Sequence, residues 1–163
     1  MQAKNYFWAL LLVGLLLGGT LSVNAQEPAP NPYSIRQVSL GWSGAQVEER
    51  LGRPTFTAKK KKSWHYRNRP GAPSGVSDPQ ITFREDRVRA VVGSRLERQG
   101  QEVLKKGDSE ERLLQVLGSP AKRQAGVHKG TEVFFYPQWK LQVVTLKGKI
   151  MAFSLNEEFA TLP

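Results

Sequence analysis

The chain writes nearly the same phrase twice: GWSGAQVEERLGRP from Gly41 and GDSEERLLQVLGSP from Gly107. Both run Gly-x-Ser, three residues, an aliphatic (Val47 or Leu113), three residues, then Leu-Gly-x-Pro, with five of fourteen positions identical. Such self-similarity, 66 residues apart, constrains the fold more than any composition figure, because each copy must build the same local unit.

Each phrase reads as a short helix with explicit ends. Ser43 is an N-cap, and Gln46 three residues on completes a capping box. In the second phrase Asp108 or Ser109 caps, and Glu110 and Glu111 put negative charge on the first turn. Val47 and Leu51, like Leu113 and Leu117, are four apart and share a face. Gly52 and Gly118 stand where a helix stops in a left-handed conformation, and Pro54 and Pro120 prevent resumption. Helices of about eight residues do not hold in water alone. They must lie on something.

Strand-like sequence follows each phrase. After the first come Trp64-His65-Tyr66, a Gly/Pro/Ser loop over 68–79, Ile81-Thr82-Phe83, and Val88 to Val92. After the second come Glu132 to Tyr136, a tight Pro137-Gln138 connection, Trp139 to Leu146, and Ile150 to Leu155. β-branched and aromatic runs with turn residues between them predict antiparallel strands. Tyr66 matches Tyr136 at an offset of 70, and Val88 matches Ile150 at 62, so the length changes fall in loops. The expected fold is α+β in two tandem repeats. Each is a short helix, or a helix pair, packed on one face of a three- to four-stranded antiparallel sheet. The boundaries are 34–98 and 99–158, with a tail at 159–163. The stretch 94–106 reads equally as a strand or a short helix.

The N-terminus reads separately. Lys4 precedes the apolar run FWALLLVGLLLGG, and Val23 and Ala25 are the small residues before a cut. This predicts a signal peptide over 1–25, with an uncleaved anchor as the other reading. A Pro-rich spacer over 26–33 follows. The expected location is a periplasm or the medium, with no stable membrane span after cleavage. There is no cysteine, which excludes disulfides, thiolate metal sites, thiol catalysis and lipobox acylation.

The Gly-x-Ser start, amphipathic helix, Leu-Gly-x-Pro stop and aromatic strands resemble the SmpA/OmlA-like outer-membrane assembly domain. Two such units in tandem resemble the β-lactamase inhibitor protein fold. The resemblance covers residues 35 to 155 and implies a non-enzymatic protein that acts through protein contacts. The assembly members are lipid-anchored and the inhibitors carry disulfides, and this chain has no cysteine for either.

The residues themselves offer little chemistry. His65 and His128 are the only histidines, without metal-ligand spacing, and no Gly-x-Ser-x-Gly elbow follows a long strand. No cofactor and no metal site are expected. Acidic pairs such as Glu48-Glu49 and Glu110-Glu111 read as solvated surface. A binding surface is the better prospect. Trp64 and Tyr66 share one strand face and His65 the other; Phe134 and Tyr136 oppose Phe135. If helices cover one sheet face, then His65, Phe135 and Trp139 with its strand meet a partner or the other repeat on the second. Lys59, Lys60, Lys61 and Lys62, with Lys147 and Lys149, form basic turns at one end of each sheet, fitting a net charge of +10. The first expectation is therefore an exported envelope protein that binds another envelope or secreted protein. The second is a binder of an anionic envelope polymer; the third is an enzyme of unknown type. Nucleic acid is not an expected partner, because no recognition motif is present.

Overall fold

In the computed structural model, which describes residues 31–60, 62–67, 70 and 76–161, both phrases are helical. Helix α1 spans Gly44–Leu51 and α2 spans Glu110–Leu117. Ser43 Oγ accepts from Gln46 N at 3.3 Å while Gln46 Oε1 accepts from Ser43 N at 2.9 Å, closing the capping box. Ser109, not Asp108, caps α2, accepting from Arg112 N at 3.2 Å; Asp108 Oδ2 instead accepts from Lys105 N at 2.8 Å. Both helices stop at a glycine with φ 73°, but ψ lies at −171° for Gly52 and −165° for Gly118. That is an extended conformation of the positive-φ half, not the left-handed helical one expected, and essentially only glycine adopts it.

The strands run in chain order. They are β1 (Tyr33–Ile35), β2 (Phe56–Ala58), β3 (Ser63–Arg67), β4 (Ser77–Arg84), β5 (Arg87–Gly93) and β6 (Arg95–Arg98). After these come β7 (Gln101–Lys105), β8 (Lys122–Ala125), β9 (Thr131–Tyr136), β10 (Leu141–Leu146) and β11 (Lys149–Asn156). The fold is mostly antiparallel sheet with two α-helices, an α+β arrangement in coarse terms. A separate small sheet in each half was the expectation. Instead four strands from each half join edge to edge in one eight-stranded sheet, ordered β2-β3-β4-β5-β11-β10-β9-β8. The join is the β5–β11 pair, with Val92 opposite Ser154 and Val91 opposite Leu155.

The same fastenings occur in both halves. Gly41 N donates to Val88 O and Val88 N to Trp42 O, each at 2.8 Å; Gly107 N donates to Ile150 O and Ile150 N to Asp108 O, again at 2.8 Å. Tyr66 Oη donates to Gly52 O at 3.0 Å, and Tyr136 Oη donates to Gly118 O at 3.1 Å. Each central strand carries a bulge, at Arg89 in β5 and at Met151 in β11, where that one extra residue has no opposite number on the partner strand. The bulge turns residues three apart, Val88 and Val91 or Ile150 and Phe153, onto the same buried face.

That face meets α1, α2 and a second, three-stranded sheet ordered β1-β6-β7. Val47, Leu113, Ile35, Leu96 and Leu104 close over Ile81, Phe134, Tyr136, Leu141 and Phe153 in one core. Residues 94–106 are thus a hairpin, turning at Gln99-Gly100 with φ 53° and 80°, and the 98/99 boundary falls at its tip. Tyr33, placed in the spacer by sequence, is a β1 residue only 2% exposed. The first residues of the tail, 159–161, belong to a 3-10 helix, Glu157–Thr161. The leader reading over 1–25 and most of the spacer lie outside the described residues. Among the described residues no helix is long and apolar enough to cross a membrane.

Candidate binding surface

The face turned away from the helices is laid out by register. One row of directly opposed residues crosses the sheet from β2 to β8: Phe56, His65, Gln80, Val92, Ser154, Gln142, Phe135 and Lys122. Opposed residues share a face, so this row is the helix-free surface in section. Its aromatics sit at the two ends, and in its middle Val92 is flanked by the polar Gln80, Ser154 and Gln142. A continuous apolar face, as the strand patterns suggested, is not what forms.

At the β2–β3 end the aromatics are stacked on each other. The Phe56 and His65 rings lie 4.2 Å apart and 9° from parallel, and the Arg67 guanidinium sits 4.5 Å from the Phe56 centroid. Both His65 nitrogens are occupied, Nε2 by Ser63 Oγ at 3.0 Å and Nδ1 by Ser77 Oγ at 3.1 Å. Burial, and then the Arg67 charge, push the His65 pKa below the ordinary histidine value. In a neutral ring one nitrogen donates and the other accepts, and Ser63 is buried, 4% exposed. The two serines hold the His65 ring in its stack on Phe56.

At the β8–β9 end the surface is open. Phe135 meets Phe159 of the C-terminal 3-10 helix edge-on, with centroids 6.3 Å apart at 89°. Together with Pro137 and Ala121 they wall a groove of ≈ 380 Å³, with Lys122 and Gln142 at its polar margin.

The other sequence-chosen residues scatter. Trp139 is not on a strand: it ends a 3-10 helix, Pro137–Trp139, and stacks on Tyr136 at 5.6 Å and edge-on to Tyr33 at 5.1 Å. It packs against the core on the helix side. Lys59, Lys60 and Lys62 lie in the β2–β3 turn, and Lys147 and Lys149 flank the β10–β11 turn. Lys61 lies outside the described residues. Because β5 and β11 are antiparallel and each follows its own hairpin turn, the two lysine groups point to opposite ends of the sheet. No single basic rim results. Among the described residues no group of three or more His, Asp or Glu side chains could hold a metal ion.

Sequence reasoning missed Phe56, Pro137 and Phe159. It also missed two buried carboxylates, Asp78 (2% exposed) and Glu97 (7%). Asp78 pairs with Arg36 Nε at 3.1 Å and accepts from Ser94 N at 2.8 Å, and also takes the Ser94 hydroxyl. Neither acid carries a local sequence signal.

These features define a cysteine-free, antiparallel α+β chain with an open apolar groove on its helix-free face. No protein-family model and no curated protein matches it. Among solved structures it is similar to a DUF4309 family protein, YjgB, from Bacillus subtilis subsp. subtilis str. 168. The identity is 12% over 70% of this chain and 77% of that one, with a TM-score of 0.46.

Proposed function

We propose that this chain is an exported, non-catalytic binding protein of the cell envelope that grips a protein partner through the groove at Phe135 and Phe159. The single supporting observation is that groove: apolar walls, about the volume of one large side chain with room around it, on the face that neither α-helix covers. Export is inferred from the leader-like run before Gln26. The two halves are read as copies of one ancestral unit, supported by the paired caps, bulges and tyrosine bonds. That reading fits the tandem SmpA/OmlA-like and inhibitor-like resemblance.

Pull-down from envelope extract at low and high salt, with the wild type and Phe159→Asp, tests the proposal. Phe159 is half-buried on a terminal 3-10 helix, so the charge tolerates solvent there. A discrete protein held at high salt and lost from Phe159→Asp is the expected result. Retention unaffected by Phe159→Asp defeats the groove as the site. A second reading, a binder of anionic envelope polymer, has support from Lys59, Lys60, Lys62, Lys147 and Lys149, none of which has an ion-pair partner among the described residues. Its signature is capture of polymer only at low salt, through two separate ends of the sheet.

A further inference from the structure

Glu97 presents an unusual balance of charge. It is 7% exposed, and its Oε2 accepts from Ser34 Oγ at 3.1 Å and from Gln37 N at 2.6 Å. Both donors are neutral. Among the described residues no cation lies within ion-pair distance of it, and its Oε1 accepts no hydrogen bond. The neighbouring arginines are committed elsewhere. Arg36 is held by Asp78 at 3.1 Å, Arg95 by Glu102 at 3.4 Å, and Arg98 lies 5.9 Å from the Tyr33 centroid. A buried carboxylate without a cation is costly, because its lost hydration is not replaced.

Oε1 is not sealed in. The only wholly buried side-chain polar atom without a partner, among the described residues, is Thr145 Oγ1. Glu97 instead lines a cleft of ≈ 330 Å³ on the helix side of the sheet, together with Arg36, Gln37, Arg50, Arg95 and Pro79. Arg50, in the last turn of α1, has no ion-pair partner among the described residues either. One cleft therefore holds one unpaired carboxylate in its wall and one unpaired guanidinium at its margin. Of the remaining charges, Arg36 is paired with Asp78, and Arg95 with Glu102, which Lys105 Nζ also approaches at 3.8 Å. A simple anion would meet Arg50 but also Glu97; a simple cation would meet the reverse.

We propose that this cleft binds a small zwitterion, an amino acid or short peptide, its ammonium on Glu97 Oε1 and its carboxylate on Arg50. The volume is that of a compact ligand, at the small end of ordinary small-molecule sites. The Arg36–Gln37 turn, with φ 50° and 67°, is locked by Asp78 and Glu97, so the wall is set before a ligand arrives. This site lies on the opposite side of the sheet from the Phe135 groove, and neither proposal depends on the other.

Titration calorimetry of the full chain with alanine, Ala-Ala and Ala-Ala-Ala tests it, the lengths spanning different separations of the two charges. At least one of the three should bind. For that one, acetylating the amine or amidating the carboxylate should each weaken binding about tenfold or more, as expected for losing a charged hydrogen bond. Glu97→Gln should abolish the preference for the free amine, and Arg50→Ala the preference for the free carboxylate. The blocked ligands need no variant, so the test stands even if Glu97→Gln does not fold. No binding by any of the three overturns the proposal. So does binding that survives acetylation, which would make the cleft an anion site.

Discussion

The two ends of the helix-free face occupy matching places in the sheet and have opposite characters. Phe56 opposite His65 stands at one edge, and Lys122 opposite Phe135 at the other, in the same cross-strand row. At the first end the aromatic ring is spent on its own neighbours, His65 at 4.2 Å and Arg67 at 4.5 Å. At the second, Phe135 and Phe159 leave ≈ 380 Å³ between apolar walls. On the helix side the fastenings of the two halves match: the corresponding tyrosine bonds the corresponding glycine carbonyl, and a bulge re-aims the corresponding strand. Where backbone must be held, the halves agree. Where side chains meet solvent, they part. That asymmetry is why the proposal places binding at the β8–β9 end.

The comparison breaks hardest at Asp78, because among the described residues only the first half carries a buried ion pair. Asp78→Ala leaves Arg36, 11% exposed, without its partner. It should cost about 3–5 kcal/mol, the usual penalty for orphaning a buried charge. Urea unfolding monitored by tryptophan fluorescence measures it. A loss below about 1 kcal/mol would mean that the pair contributes no more than a surface one.

Agreement between the halves is tested at the helix stops. Gly52 and Gly118 share φ 73°, and a Cβ on either would meet nothing within 4 Å. Alanine there is penalised by backbone strain alone, so Gly52→Ala and Gly118→Ala should each cost about 1–3 kcal/mol, and by nearly the same amount. Unequal losses, measured by the same unfolding, would show that the two stops are alike in dihedral but not in what depends on them.

These stops were legible in sequence because they are local: a cap, a stripe and a glycine within fourteen residues. The pairing of β5 with β11 was not, since nothing within either strand names a partner some 60 residues away. That omission left open how the lysine turns of the two halves lie relative to each other. The Lys59 and Lys147 turns lie at corresponding ends of their own meanders, and joining the meanders antiparallel sends them apart. Trp139 was misread because Pro137-Gln138 resembles a hairpin turn. The chain instead winds into a 3-10 helix that ends at Lys140 with φ 50°, which swings the indole onto Tyr136. Phe159 had no periodicity around it, and Glu97 sits in an Arg-Leu-Glu-Arg strand that gives no sign of burying its acid.

The smallest effect isolates the two ends themselves. In the row across the sheet His65 stands where the other half has Phe135, so His65→Phe gives the first end the second end's residue. Burial and Arg67 hold the His65 pKa below the ordinary value, so the folded protein binds fewer protons there than the unfolded chain. Stability then rises with pH in that window, and it is lost as pH falls from the ordinary histidine value of about 6.5 toward the lower folded one. Removing the imidazole should flatten this part of the profile while keeping a ring to stack on Phe56. Melting temperatures at pH 7 and pH 5 for wild type, His65→Phe and His128→Gln decide it. The wild type and His128→Gln should share a drop that His65→Phe lacks. If all three fall equally, acid sensitivity comes from the carboxylates, and the His65 stack is indifferent to its charge. If His65→Phe also gains the salt-resistant capture proposed for the Phe135 end, the difference between the ends reduces to one side chain.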